Sequence, residues 1–159
     1  MSKKDFLQMI VGIVLVQIVG VLGSFSMSKE SLHTWYKKLL LSDLNPPDWL
    51  FGIVWPCLYT LLGIVGYLLY KKWQENRKNR GLLYLFGVHI FFNGIWPICF
   101  FYLHMITLAF VDIIILFISL MSLMMWAYRV DKKVTYLLLP YFVWICLATY
   151  LQGYIWYMN

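Results

Sequence analysis

Charge is what this 159-residue sequence has least of: Asp, Glu, Lys and Arg make up 13% of it, against 62% hydrophobic residues. Soluble domains carry about 25% charged residues, so a water-exposed globular fold is excluded and lipid is the solvent to reason in. Acidic residues number only 7, which leaves no paired carboxylates for general acid–base work. Cysteine is down to 3, an odd count with no C-x-x-C pair, so neither a disulfide framework nor a zinc ribbon is indicated. Cys57, Cys99 and Cys146 sit in apolar runs and read as small packing residues. Hydrolytic triads, glycine-rich phosphate loops and metal-ligand clusters are missing too. So are internal repeats and the inverted helix pairs of many secondary transporters. No Gly-x-x-x-Gly pair supports dimerisation, although Gly63 with Gly66 could mediate helix contacts.

What is present is long uncharged sequence. Crossing roughly 30 Å of hydrocarbon takes about 20 mostly apolar residues in a helix. Five runs qualify, near 6–27, 49–70, 81–103, 105–128 and from 134 to about 157, and the one charged residue inside them is Asp112. Their continuous apolarity favours helices over barrel strands, which alternate. The first run is longer than a signal-peptide core and no A-x-A-like cleavage site follows it. The expectation is an all-α integral membrane protein, a five-transmembrane-helix bundle forming one domain over 1–159.

Five spans put the termini on opposite sides and sort the basic residues. Ten (Lys3, Lys4, Lys71, Lys72, Arg77, Lys78, Arg80, Arg129, Lys132, Lys133) share one side, and Lys29, Lys37 and Lys38 lie on the other. That bias predicts a cytoplasmic N-terminus. The net charge of +6 is thus a topology signal, and with the basic residues confined to short loops no nucleic-acid footprint is expected.

The one long connection, 28–48, spaces Leu32, Trp35, Tyr36 and Leu39 helically before Asn45-Pro46-Pro47 stops it. An amphipathic segment is expected there, either folded over the bundle mouth as a lid or lying in the headgroups.

Functional candidates follow from faces. Phe51, Trp55 and Tyr59 recur at four-residue steps in the second span; His89, Asn93 and Trp96 share a face of the third; Tyr141, Trp144, Ala148 and Leu151 share one of the fifth. If these faces converge, they enclose flat π surfaces, indole donors and one amide, the makeup of a site for a large planar apolar ligand; the competing reading is plain aromatic packing. His89 lacks a second ligand or carboxylate partner and reads as a core histidine. Asp112 is expensive at depth and is expected to reach the interface or to pair with a polar group on another helix.

The order and spacing of these residues resemble a known family. Trp35-Tyr36-x-x-Leu39, Pro46-Pro47-x-Trp49-x-Phe51-Gly52-x-Val54-Trp55-x-x-Leu58-Tyr59, Asn93-x-x-Trp96-Pro97-x-x-Phe100-Phe101, Ala109-x-x-Asp112 and Pro140-Tyr141-x-x-Trp144-x-x-x-Ala148-x-x-Leu151 are similar to motifs of the TspO/MBR tryptophan-rich sensory proteins. The resemblance implies a five-helix bundle, commonly dimeric, whose interior accepts porphyrins and benzodiazepine-site ligands. It points to Tyr36, Trp55, Tyr59, Asn93, Trp96, Trp144, Ala148 and Leu151 as ligand-binding positions, with protoporphyrin IX or a related tetrapyrrole as ligand and no required cofactor. A membrane receptor or sensor is the leading expectation; light- and oxygen-dependent porphyrin degradation and tetrapyrrole transport are the alternatives. Three departures stand out. Leu41-Ser42-Asp43-Leu44 replaces the family's Lys-Pro-x-Trp stretch, nothing basic follows Lys133 where animal members carry a cholesterol-recognition pattern, and Gln152 replaces an asparagine. Resemblance to bacterial members implies a bacterial plasma membrane, with the mitochondrial outer membrane as runner-up.

Overall fold

Hydrocarbon offers no hydrogen bonds, so a segment crossing it must satisfy its own backbone. In the computed structural model, which describes residues 2–159, five long helices do this and no strand occurs among those residues. They are α1 (Lys3–Ser24), α2 (Asp48–Glu75), α3 (Arg80–Pro97), α4 (Ile106–Val130) and α5 (Lys132–Met158). Counting α3 with the turns that flank it, Arg77–Tyr102, all five are long and apolar enough to span a membrane.

The helices run past the uncharged segments, and the reasons are local. A capping box starts α1, with Ser2 accepting from the Asp5 amide and Asp5 accepting from the Ser2 amide. α2 continues through Lys71 and Lys72, whose long stems keep their charges in water. There Lys71 pairs with Asp5 (3.2 Å) and Lys72 with Glu75 (3.0 Å) and Asp131 (3.6 Å). These pairs bring the start of α1, the end of α2 and the α4–α5 turn together, so one end of the bundle carries the basic majority. Asp131 opens α5 by accepting from the Lys133 amide at 3.0 Å.

α1 lies against α2 and α3, α4 against α3 and α5, and α5 closes back onto α2. α1 turns much apolar surface outward, Leu7, Leu15 and Leu22 among it, as lipid solvation permits. Its grip on α2 is backbone against backbone: a Cβ built on Gly63 would lie 2.3 Å from Ile13 Cα. Gly66 meets the Phe86 ring in the same manner. Both glycines thus serve the helix contacts that their spacing allowed, and those contacts lie within the chain. Gln17 adds a polar pin, donating to the Pro56 carbonyl (2.9 Å) and the Thr60 hydroxyl (3.0 Å).

Pro97 ends α3. Lacking an N–H, it returns no hydrogen bond to the Asn93 carbonyl, and the chain widens into a π turn over Ile98–Tyr102. His104, with φ 54°, makes the tight reversal into α4. The expected amphipathic segment is a π turn (Ser31–Trp35) followed by a 3-10 turn (Tyr36–Lys38). Its apolar side turns onto the bundle: Leu32, Trp35, Tyr36 and Leu39 pack on Cys99, Phe100 and Phe101. Of the cysteines, Cys99 is buried, Cys146 is half-buried and Cys57 faces outward, and all three are free.

Candidate functional site

The aromatic faces of α2 and α5 meet at the half of the bundle nearer the lid. Trp144 packs edge-on against Phe51 (ring centroids 5.6 Å apart) and Trp55 (6.3 Å), and Trp55 packs against Tyr59 at 5.3 Å. One turn deeper, α3 joins through Asn93, whose Oδ1 accepts from the Tyr59 hydroxyl at 2.8 Å.

Behind Asn93 runs a buried polar chain that spacing alone did not indicate. Its Nδ2 donates to the Tyr141 hydroxyl at 2.8 Å; that hydroxyl lies 2.9 Å from His89 Nε2; His89 Nδ1 lies 2.7 Å from Ser119 Oγ; and Ser119 donates to the Leu116 carbonyl at 2.9 Å. One placement of the hydrogens satisfies every bond. Tyr141 receives from Asn93, so its own proton goes to Nε2; Ser119 spends its proton on Leu116, so it must receive from Nδ1–H. In that placement His89 is neutral with its proton on Nδ1, and the ring is fully enclosed at 0% exposure. Both ring nitrogens are engaged, in keeping with a core histidine. The chain ties α2, α3, α5 and α4 through one line of donors and acceptors, each strengthening the next in a low-dielectric interior.

Tyr36 and Trp96 sit in a second cluster, nearer the lid. Trp96 stacks on Phe100 (5.2 Å) and meets Phe101 edge-on (5.9 Å), and Tyr36 approaches the same two rings at 6.1 and 5.8 Å. Ala148, half-buried, and Leu151, buried, continue the Trp144 face of α5. Trp144, Trp55, Tyr59 and Asn93 are thus linked one to the next, while Tyr36 and Trp96 gather around Phe100. Ring packs on ring, so a macrocycle would have to part them. The indole N–H groups of Trp96 and Trp144 are buried with no acceptor among the described residues.

The 28–48 segment is held by polar contacts the pattern did not mark. Ser31 donates to the Phe101 carbonyl at 2.6 Å, Trp35 stacks on His104 at 4.3 Å, and Tyr36 donates to Asn45 at 3.2 Å. Burial pushes the Tyr36 phenol up, and the Asn45 bond offsets part of that. Asn159 grips the segment from α5: its Oδ1 accepts from the Leu40 amide (2.9 Å) and its Nδ2 donates to the Leu40 carbonyl (3.3 Å). Asn159→Ala is expected to speed deuterium exchange at the Leu40 amide about fivefold, the worth of one ordinary hydrogen bond. Unchanged exchange would place the latch elsewhere.

Asp112 corrects an expectation. It is 4% exposed, and its Oδ2 is buried with no partner among the described residues, so it makes no pair there with a polar group of another helix. Gln152 donates from Nε2 to the Ile106 carbonyl at 3.3 Å but leaves Oε1 buried and unpaired.

Comparison with known proteins agrees with this architecture. The family model described as TspO/MBR matches residues 12–158. The tryptophan-rich protein TspO of Archaeoglobus fulgidus is 34% identical over 157 residues, covering 98% of this chain and 99% of that protein. The protein of the same name from Chlorobaculum tepidum is 34% identical over 151 residues, 94% of each chain. The human translocator protein is 29% identical over 138 residues, 86% of this chain and 81% of its own. Similarity of this extent, running through all five spans, makes the chain a member of the TspO/MBR family.

Proposed function

We propose that the chain is a membrane receptor or sensor that takes a porphyrin-type tetrapyrrole, and ligands of the benzodiazepine-site type, between α2, α3 and α5 beneath the lid. The observation that carries this reading is the meeting of Trp55, Tyr59, Asn93 and Trp144 from three helices. Flat rings supply dispersion and π contact to a planar guest, and the free indole N–H groups of Trp144 and Trp96 supply donors for its polar edge. The basic end faces the cytoplasm of a bacterial plasma membrane.

The test is a titration of the detergent-purified protein with protoporphyrin IX, followed by tryptophan quenching and by the porphyrin's own absorbance. Wild type is expected to saturate. The double variant Asn93→Ala, Trp144→Phe is expected to bind about tenfold more weakly, from one hydrogen bond and one aromatic contact. Absence of saturable binding in the wild type would return these faces to packing.

A second reading, light- and oxygen-dependent porphyrin breakdown, draws on the contact between two oxidisable indoles, Trp55 and Trp144. In the variant Trp55→Phe, Trp144→Phe, retained binding with lost breakdown assigns the chemistry to the protein; breakdown that merely tracks occupancy assigns it to the bound pigment.

A further inference from the structure

At the basic end of the bundle, lysines and arginines meet different fates. The nearby carboxylates of Asp5, Glu75 and Asp131 are engaged by Lys71 and Lys72. Arg77 and Arg80 have no carboxylate within ion-pair distance among the described residues. Each guanidinium lies instead over an aromatic ring four residues away, Arg77 over Trp73 at 4.4 Å and Arg80 over Tyr84 at 4.8 Å. Arg80 also donates from Nε to the Tyr84 hydroxyl at 2.9 Å. These four side chains and Leu83 line a hollow of about 540 Å³ where α2 hands over to α3.

Arg77, over the Trp73 ring, keeps its edge donors for a planar, two-pronged acceptor such as phosphate, while Arg80 spends Nε–H and an Nη2–H on the Tyr84 hydroxyl and keeps its other Nη N–H groups for the same acceptor. The Tyr84 hydroxyl, accepting from Arg80, retains a proton to give. Trp and Tyr are the residues that settle at headgroup depth, and here they flank two cations that no protein anion neutralises. We propose that this hollow binds an anionic glycerophospholipid. The phosphate lies between Arg77 and Arg80, and the glycerol and first acyl carbons rest on Leu83 and the Trp73 and Tyr84 rings. The apolar and aromatic wall, and its place where a span leaves the hydrocarbon, select a lipid over a soluble anion. A second hollow of about 470 Å³ between α4 and α5, whose wall includes Met121, Met124 and Met125, has Arg129 as the one cation among its lining residues and serves as the comparison.

The experiment is native mass spectrometry of the full chain released from neutral detergent, with phosphatidylglycerol and phosphatidylcholine of identical acyl chains added in equal amounts. Wild type is expected to retain phosphatidylglycerol preferentially, and Arg77→Gln, Arg80→Gln to lower that preference about thirtyfold, the effect of two juxtamembrane cations. Arg77→Lys, Arg80→Lys keeps the charge and loses the stacked fork; it is expected to lower the preference about threefold. Arg129→Gln is expected to leave it unchanged. The proposal is overturned if the lysine variant matches wild type, which would mean diffuse surface charge, if Arg129→Gln acts as strongly as the pair, or if excess inorganic phosphate strips the lipid. Should the glutamine variant fail to fold, the lysine and Arg129 variants still decide. The outcome is independent of whether tetrapyrroles bind.

Discussion

Tyr141→Phe, the loss of a single oxygen atom, is expected to destabilise the protein by about 2–4 kcal/mol. The hydroxyl accepts from Asn93 and donates to His89, and those two partners are 3% and 0% exposed. Without it, a buried amide proton and a buried imidazole nitrogen are both left unpaired. Each unsatisfied buried group costs about 1–3 kcal/mol. Measured interhelical hydrogen bonds in membranes average only about 0.6 kcal/mol, but those sites can relax toward other partners, whereas the two here are enclosed. The check is the midpoint of heat-induced loss of the monodisperse peak in detergent. A second variant sharpens it: with His89→Leu added, one unpaired nitrogen vanishes, so the double change is expected to cost less than the sum of the singles. Additive costs would mean the chain is not one network.

Gly63→Ala is expected to lower stability by about 1–3 kcal/mol, the usual range for forcing a methyl group into a filled space. Here the obstacles to a Cβ are main-chain atoms, Ile13 Cα at 2.3 Å and Ile13 N at 2.7 Å. No rotamer change can make room, and α1 must move away from α2. Gly87→Ala supplies the opposite sign within the same substitution type. Its added methyl meets nothing within 4 Å, so the change is expected to be neutral or stabilising by up to about 1 kcal/mol through helix propensity. The same thermal assay ranks the three proteins. If Gly63→Ala were as stable as Gly87→Ala, α1 would not be docked by backbone contact.

The spans were legible because hydrocarbon is a demanding solvent: an uncharged run of helical length leaves few alternatives, and all five appear near their expected places. Their ends were less legible. Lys71 and Lys72 look like loop residues by charge, yet long stems and available carboxylates let α2 run through them. The faces of α2 and α5 were legible from four-residue spacing, and Trp55 does meet Trp144. Separation of Trp96 from Trp55 was not, because Pro97 and the π turn after it bring Cys99, Phe100 and Phe101 inward together, and the lid covers the side that a regular helix would leave open. Ser119 was invisible for another reason. A lone serine on an apolar helix usually bonds its own backbone, as Ser122 does to the Ile118 carbonyl, and nothing in its spacing reveals that His89 points at it. Gly63 likewise announces small size and conceals its partner.

The buried line from Tyr59 to Leu116 has a sense, since every proton in it points the same way. A guest that displaces Tyr59 and donates to Asn93 Oδ1 leaves that sense intact. One that accepts instead requires the amide to turn over, presenting oxygen to Tyr141. The Tyr141 proton would then turn to Asn93, His89 would have to carry its proton on Nε2, and Ser119 would swing from the Leu116 carbonyl to the freed Nδ1. Two arrangements of the same atoms, differing in no charge and almost no volume, would register whether the ligand gives or takes a hydrogen bond. Between them they carry one binary digit from the aromatic faces of α2 and α5 to the backbone of α4.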